Sequence, residues 1–315
     1  MKAVILDGYA ENPGDLSWEK LGNYCEYTVF DRTPADKIYE RCEGCEIIIT
    51  NKTPLRKETL DRLPDVKYIG LLSTGFNVVD VDVCKARNIP VCNIPTYSTE
   101  AVAQLVFAFI LEHCNRVALH SDAVASGEWA ACRDFCFWKS PLTELSGKTI
   151  GIIGFGKIGN QVACIAKAFN MRVLAETTHP APFEGVTFTD RDTLLGESDF
   201  VTLHTPLTPA TTGMVNAEFL GKMKKSAFLI NTSRGPAVDE QALADALNSG
   251  AIAGAGLDVL STEPPKTDNP LPKAKNCLIT PHIAWAGFET RQRLMDIFLS
   301  NIEAFVNDSV QNCVW

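Results

Sequence analysis

The stretch GIIGFGKIG, residues 151–159, spaces three glycines as G-x-G-x-x-G. It follows the strand-like run KTIGII and opens the amphipathic run KIGNQVACIAKAF. In that context Gly154 permits a tight turn, and Gly156 lets the backbone approach a pyrophosphate at a helix N-terminus. Gly159 lets the helix pack closely on the strand. The stretch therefore predicts a dinucleotide-binding strand-turn-helix unit.

Strand-like runs recur on both sides of this motif. Six lie in the second half of the chain, namely KTIGII, RVLAE, FVTLHT, AFLINTS, GAGLDV and CLITP. Five lie in the first hundred residues, namely AVIL, YTVF, EIIIT, KYIGLL and IPVCNI. Alternating strands and helices imply parallel sheets. The pattern predicts an α/β fold with two doubly wound parallel-sheet domains, Rossmann-like and flavodoxin-like, and a long apolar helix over 98–119 opened by Ser98.

The composition limits the kinds of molecule that this protein is expected to bind. The chain has 315 residues, 46% of them hydrophobic, a formal charge of -9 and a pI near 5.1. An acidic surface disfavours binding to nucleic acid or to anionic membranes. The longest apolar run, AVAQLVFAFIL, is shorter than the ~20 residues that a bilayer crossing requires. We expect a small-molecule partner, with no nucleic acid and no membrane.

Eleven cysteines are scattered along the chain without a regular framework. Since no export signal precedes them, we expect reduced thiols and a cytoplasmic location. Cys42 and Cys45 form a CxxC pair, but no second pair or histidine lies at the spacing that a zinc site needs. We therefore expect no metal.

The cofactor's ribose should meet an acidic residue about 20 residues beyond the glycine motif. The sequence there is RVLAETTH, which places Glu176 or Thr177 at that point. Glu176 would accept hydrogen bonds from the ribose and favour NAD. Directly after it no arginine follows to receive a 2′-phosphate, and only His179 is near. The sequence favours NAD and leaves NADP open.

Three chemically active side chains follow strands of the predicted second sheet. Arg234 follows one strand in NTSRG, Glu263 follows another in GLDVLSTEP, and His282 follows a third in TPHIAW. Ligands of open α/β sheets bind beyond the carboxyl ends of the strands, so the three should converge. A guanidinium can hold a 2-oxo acid's carboxylate, a histidine can protonate the developing alkoxide, and a carboxylate can orient the imidazole and stabilise its protonated form.

The chain resembles the D-isomer-specific 2-hydroxyacid dehydrogenases nearly end to end. The matching stretches are TNKTPL, STGFNVVD, YSTEAVAQ, ELSGKTIGIIGFGKIG, LHTPLTPATTG, FLINTSRGPAVDEQAL, GAGLDV and TPHIAW. The resemblance implies a substrate-binding domain of residues 1–97 and 288–315 and an NAD-binding Rossmann domain of residues 98–287. It places the active site in the cleft between the domains. STGFNVVD is most similar to the hydroxypyruvate reductase, or glycerate dehydrogenase, branch.

The resemblance also implies a set of site residues. The catalytic residues would be Arg234, Glu263 and His282. Substrate contacts would come from Asn51, Thr74, Gly75, Arg234 and His282. Cofactor contacts would come from Gly154, Gly156, Lys157, Ile158, Gly159, Glu176, Thr177, His204, Thr205, Pro206, Thr232, Ser233, Arg234, Asp258 and His282. Asp258 would hold the nicotinamide carboxamide. Many relatives carry an aspartate where this chain has Thr177, which weakens the inference of NAD.

The sequence thus predicts an NAD(H)-dependent reductase of hydroxypyruvate or glyoxylate. It also predicts a homodimer, in which the two copies meet at the apolar helix and the loop EWAACRDFCFW. Two alternatives stay open. One is a related dehydrogenase acting on D-lactate, 3-phosphoglycerate or formate, and the other is a non-catalytic NAD-sensing corepressor. The sequence leaves open the physiological substrate and direction and the size of the oligomer.

Overall fold

The computed structural model describes residues 1–315, which form two units, Met1–Ser98 with Ala286–Trp315 and Thr99–Trp285. The strands are β1 (Lys2–Ile5), β2 (Glu26–Val29), β3 (Ile47–Thr50), β4 (Tyr68–Leu71), β5 (Val91–Cys92), β6 (Thr149–Ile153), β7 (Arg172–Glu176), β8 (Val186–Phe188), β9 (Phe200–Leu203), β10 (Phe228–Asn231), β11 (Gly254–Leu257) and β12 (Cys277–Ile279). The α-helices are α1 (Ile38–Cys42), α2 (Lys57–Leu60), α3 (Val81–Ala86), α4 (Thr99–Asn115), α5 (Val117–Ala125), α6 (Lys157–Ala168), α7 (Arg191–Glu197), α8 (Ala217–Lys222), α9 (Glu240–Ser249) and α10 (Phe288–Val306).

The smaller unit is a five-stranded parallel sheet in the order β2-β1-β3-β4-β5. This is the flavodoxin-like order of a doubly wound sheet. Strands β3 and β4 are buried along their whole length because apolar side chains cover both faces. One face is covered by α10, whose Leu294, Phe298 and Ile302 are buried. Both ends of the chain therefore build this unit.

The larger unit is a seven-stranded parallel sheet in the order β12-β11-β10-β9-β6-β7-β8. The chain moves outward from β6 to β7 and β8, then returns to β9 on the other side of β6. Such a reversal opens a crevice beyond the carboxyl ends of β6 and β9, where doubly wound sheets bind ligands. The fold class predicted from the sequence is confirmed. Strand β8 was not predicted, because its three residues are too short to show a period.

The predicted helix over 98–119 is wrong only beyond residue 115. Helix α4 ends at Asn115, and Arg116 adopts a left-handed conformation with φ of 48°. The chain then turns by 53° into α5. No single helix has the length and apolarity needed to cross a membrane, and only the bent pair α4 and α5 taken together reaches them.

Candidate active site

The glycine motif forms the turn between β6 and α6. Gly154 has φ of 93°, and a Cβ there would lie 2.6 Å from the carbonyl oxygen of His204. At Gly159 a Cβ would lie 2.5 Å from the carbonyl oxygen of Gly154. A Cβ on Gly156 would meet no atom within 4 Å, and the first turn of α6 holds no acidic residue. Two glycines thus close the turn, while the third keeps the helix N-terminus open to an anion.

Unpartnered polar atoms lie at the strand ends beside this turn. The hydroxyl oxygens of Thr205, after β9, and Thr232, after β10, are buried without a hydrogen-bond partner. Buried hydroxyls normally have a partner. A dinucleotide, which carries many hydroxyl, amide and phosphate oxygens, would supply one, so the residues at these strand ends fit the predicted cofactor.

His204 lies between these strand ends as a neutral imidazole. Part of the residue reaches solvent, but its ring lies among protein atoms. Nε2 is 3.0 Å from the hydroxyl of Thr202, and Nδ1 is buried without a partner. Burial lowers the pKa of His204 to about 3. The side chain is therefore uncharged near neutral pH and suits a hydrogen-bonding role better than proton transfer.

The acid at the end of β7 is engaged by an arginine. Arg191, the first residue of α7, donates from Nε and Nη2 to the two carboxylate oxygens of Glu176 at 2.8 and 2.7 Å. The expectation that no arginine lies near this point is wrong. The chain returns to the end of β7 through β8, a strand that was not predicted, and so brings Arg191 back to Glu176. The carboxylate predicted to bind ribose is held in a two-point ion pair.

The loop after β10 is shaped by Asn231. Its Oδ1 accepts hydrogen bonds from the backbone N–H and the hydroxyl of Ser233, and its Nδ2 donates to the carbonyl of Arg234. The exposed Arg234 guanidinium donates one hydrogen bond, from Nη1 to the Ser233 carbonyl, and forms no ion pair. The loop therefore fixes the backbone of Arg234 and leaves most of its donors available for an anion.

Glycine lets this loop touch the next one. A Cβ added to Gly235 would lie 1.9 Å from the backbone carbonyl of Leu260 in the loop after β11. The backbone N–H of Leu260 in turn donates to Oε1 of Glu263 at 3.2 Å. The loops that carry Arg234 and Glu263 are thus in direct backbone contact.

The loop after β12 brings His282 to Glu263. Nδ1 of His282 lies 2.6 Å from Oε2 of Glu263, and about a third of each side chain is exposed. A histidine whose Nδ1–H donates to a carboxylate has its tautomer fixed, with Nε2 directed outward. The structure therefore joins the histidine and the carboxylate that the sequence placed on different loops.

Asp258 fixes the backbone of the same loop. Its carboxylate accepts hydrogen bonds from the Thr280 hydroxyl and from the N–H groups of Ile283 and Ala284, at 2.6, 2.8 and 2.9 Å. Asp258 is buried, and its carbonyl accepts the N–H of His282 at 2.8 Å. The residue that the resemblance assigned to the nicotinamide thus also shapes the loop carrying the histidine.

In the smaller unit, the predicted substrate contacts follow β3 and β4. Asn51 is buried, and Asp7 holds its loop by accepting its N–H and those of Lys52 and Thr53, at 2.8, 2.6 and 2.7 Å. After β4, the Thr74 hydroxyl donates to the carbonyl of Ile94 at 2.7 Å. Hydrogen bonds therefore hold both of these loops in a defined conformation.

One buried charged group beside Asn51 was missed by the sequence reasoning. Glu11 is completely buried, and its Oε1 accepts a hydrogen bond from Asn51 Nδ2 at 2.6 Å, whereas Oε2 has no partner. Nearby, Arg291 of α10 pairs with Asp15 and donates to the backbone carbonyl of Glu11. The stretch YAENPGDL has the composition of an exposed turn and gives no signal that its glutamate is buried.

Comparison with known proteins identifies the family. Residues 107–284 match the family model described as D-isomer specific 2-hydroxyacid dehydrogenase, NAD binding domain. A protein named hydroxypyruvate reductase from Blautia hydrogenotrophica is 48% identical over 320 residues, covering 100% of this chain and 99% of that protein. A likeness of this extent includes both units.

Solved structures share the fold. An acyclic imino acid reductase in complex with NADPH and D-Arg gives a TM-score of 0.87 at 32% identity, covering 100% of both chains. The NAD complexed form of a D-isomer specific 2-hydroxyacid dehydrogenase from Lactobacillus delbrueckii ssp. bulgaricus gives a TM-score of 0.82 at 30% identity, also covering 100% of both. The chain therefore belongs to the D-isomer specific 2-hydroxyacid dehydrogenase family and is an NAD(P)-dependent oxidoreductase.

Proposed function

We propose that this chain reduces a small 2-oxo acid, hydroxypyruvate or glyoxylate, to the corresponding D-2-hydroxy acid. The observation that carries the proposal is the 2.6 Å contact between His282 and Glu263, next to the loop that presents Arg234. The likeness to a hydroxypyruvate reductase along the whole chain supports the choice of substrate. Pyruvate, which lacks the C3 hydroxyl of hydroxypyruvate, serves as the comparison substrate.

The three side chains have distinct roles in this proposal. Arg234 binds the substrate carboxylate through two parallel hydrogen bonds and polarises the neighbouring carbonyl. His282 donates the Nε2 proton to the oxygen that gains negative charge, a contribution of ~10²–10⁴ in rate. Glu263 accepts the Nδ1–H, which orients the ring and stabilises its protonated form. A bound dihydronicotinamide would supply the hydride.

The cofactor would lie along the carboxyl ends of β6, β7, β9 and β10. Its pyrophosphate would lie at Gly154, Gly156 and the first turn of α6, with Lys157 and Ile158. The adenosine ribose would lie at Glu176 and Thr177. The remaining contacts would be those at the later strand ends, namely His204, Thr205, Pro206, Thr232, Ser233, Asp258 and His282.

We expect NADH to be preferred over NADPH. The positive charge of Arg191 is neutralised by Glu176 in a two-point ion pair, so the pair offers a 2′-phosphate no net attraction. The carboxylate oxygens keep unused lone pairs that ribose hydroxyls can donate to. NADPH would have to break the pair before it could use the guanidinium.

The domain roles follow from the same proposal. Residues 98–287 would bind the cofactor, and residues 1–97 with 288–315 would bind the substrate through Asn51, Thr74 and Gly75. The carbonyl of Thr74 accepts a hydrogen bond from Asn93 Nδ2 at 2.7 Å. This bond and that from the Thr74 hydroxyl to Ile94 hold the loop, which leaves its backbone N–H groups as donors for a carboxylate.

An exposed apolar surface supports a homodimer. Val117, Trp129, Phe135 and Trp138 of the 117–138 segment expose 65, 51, 89 and 67% of their area. A segment that exposes several large apolar side chains is typical of an interaction site. We propose that a second copy of the chain covers this surface. Sedimentation equilibrium at micromolar concentration tests it, because a monomer would contradict the assignment.

A cytoplasmic location is supported by the thiols. All eleven cysteines are free, including the exposed Cys136 and Cys164. Exposed thiols persist where the surroundings are reducing.

The test of the proposed function is the initial rate of NADH oxidation with hydroxypyruvate, glyoxylate and pyruvate, each repeated with NADPH. Fast turnover of hydroxypyruvate with NADH is expected. Rapid turnover of pyruvate alone would reassign the substrate to that of a D-lactate dehydrogenase. Tight NADH binding without turnover of any oxo acid would contradict the enzymatic proposal and favour an NAD-sensing protein.

A further inference from the structure

The C-terminal residues pair with β5 as a short antiparallel segment. The N–H of Asn93 donates to the carbonyl of Asn312, and the N–H of Val314 donates to the carbonyl of Val91, both at 3.0 Å. Cys92 and Cys313 lie opposite each other between these two bonds. They are therefore a non-hydrogen-bonded pair, the position at which Cα atoms of antiparallel strands approach to about 4.5 Å.

This backbone geometry suits a disulfide. Bridged cysteines usually have Cα atoms about 4.4–6.8 Å apart, a range that includes the non-hydrogen-bonded pair. The two thiols are near enough to influence each other electrostatically, and the buried Tyr68 hydroxyl acts on both of them. The pairing of the two strands therefore places the cysteines at a position where disulfides form.

The reduced chain keeps the two cysteines aligned. Buried Asn301 of α10 donates from Nδ2 to the carbonyl of Asn93 at 3.1 Å, and its Oδ1 accepts from Asn312 Nδ2 at 2.8 Å. One amide thus holds both strands of the pair. Bond formation therefore requires little further loss of conformational freedom.

We propose that Cys92 and Cys313 are a disulfide-forming pair that fastens the C-terminal tail to β5 when the protein meets a soluble disulfide oxidant. The partly exposed Cys313 thiolate attacks the oxidant, forms a mixed disulfide and releases one thiol. The Cys92 thiolate then attacks the Cys313 sulfur and releases the second thiol. Two protein thiols are oxidised, the oxidant's S–S bond is reduced to two thiols, and these carry the two protons.

The rates of the two steps differ. Burial raises the pKa of Cys92 to about 12, so its thiolate is scarce at neutral pH and the closing step is slow. The same high pKa makes Cys92 a poor leaving group, so the finished bond resists reduction. The pair therefore responds to sustained rather than brief oxidation.

The bond would also stiffen a predicted substrate loop. Asn93, the residue after Cys92, donates from its side chain to the carbonyl of Thr74. Fixing the tail to β5 restrains the backbone of Asn93, which pairs with the tail. Because the Asn93 side chain binds the Thr74 carbonyl, the loop that carries Thr74 is restrained as well. The disulfide itself does not depend on the proposed activity.

The test treats the full-length protein with oxidised glutathione at pH 8 and maps its peptides without reduction. We expect one cross-linked peptide containing Cys92 and Cys313, with two hydrogens fewer than its separate parts. The oxidised protein should unfold a few degrees higher than the reduced protein, because the closed loop restricts the unfolded chain. Dithiothreitol should reverse both changes.

Two variants separate this pair from other thiols. In Cys313→Ser the cross-link and the thermal shift should both disappear, whereas Cys164→Ser, which removes an exposed thiol of α6, should keep both. A glutathione adduct on Cys313 without a cross-link would overturn the proposal. So would a cross-link that joins Cys42 to Cys45 instead.

Discussion

The buried carboxyl of Glu11 should make the stability of this protein depend on pH, and Glu11→Gln isolates that dependence. Burial raises the pKa of Glu11 from 4.5 to about 8, and the neighbouring Asp7 carboxylate adds to the rise. Arg291, Lys52 and the hydrogen bond from Asn51 oppose it. Its unpartnered Oε2 can carry the proton without losing a protein hydrogen bond.

The sign follows from the two pKa values. Between 4.5 and about 8 the folded chain keeps a proton on Glu11 that the unfolded chain has released. The free energy of unfolding therefore falls as pH rises, by about 1.4 kcal/mol per pH unit for this group. The contribution is complete below the lower pKa and lost above the upper one. Across the whole window it amounts to at most about 5 kcal/mol.

Urea unfolding at pH 5 and pH 9, followed by circular dichroism, measures this effect. Glutamine matches the protonated glutamate in shape and does not ionise. We expect Glu11→Gln to equal the parent protein at pH 5 and to exceed it by several kcal/mol at pH 9. The exposed Glu19, substituted as Glu19→Gln, is the control and should follow the parent at both values. Parallel pH profiles for Glu11→Gln and the parent would refute the reasoning.

Three further substitutions test the larger unit. His282→Asn is chosen because asparagine tolerates the φ of 55° at this position. It should lower kcat by ~10²–10⁴-fold and leave the NADH Kd unchanged. An unaffected kcat would exclude the proton-donor role. Gly235→Ala should push the loop that carries Arg234 away from the Leu260 carbonyl. We expect kcat/KM to fall at least tenfold, which corresponds to a free-energy loss of about 1.4 kcal/mol. Unchanged kinetics would show that the contact is dispensable. Glu176→Gln should release Arg191, so that NADPH binds more tightly and the ratio of the NADPH Kd to the NADH Kd falls about tenfold. Fluorescence titration measures both constants, and an unchanged ratio would contradict the ion-pair argument.

Much of the fold was predictable because its signals are local and repeated. Runs such as EIIIT and FLIN are buried on both faces of a parallel sheet, so they read as short continuous apolar segments. Parallel strands also end at one edge, which is why the order of Arg234, Glu263 and His282 along the chain predicted that their loops would be neighbours. The roles of these residues in the reaction stay predictions.

The parts that could not be predicted depend on side-chain direction or on an exception to a statistical rule. Arg191 reaches Glu176 only because a three-residue strand and a turn bring the chain back, and neither has a period. Glu11 contradicts the tendency of glutamate to stay exposed. At Arg116 the left-handed conformation breaks a helix whose apolar spacing had suggested continuity. Each case is decided by tertiary packing.

Two carboxylates of the segment after β11, Asp258 and Glu263, hold His282 in different ways. The Asp258 carboxylate accepts hydrogen bonds from the Thr280 hydroxyl and from the backbone N–H groups of Ile283 and Ala284, which fixes where the histidine lies and holds it at a positive φ. Glu263 contacts Nδ1 of the ring and accepts the N–H of Leu260, which fixes where Nε2 points. Asp258 is buried, whereas about a third of the Glu263 and His282 side chains is exposed. Asp258 therefore fixes the position of the loop, and Glu263 fixes the orientation of the ring that the loop carries.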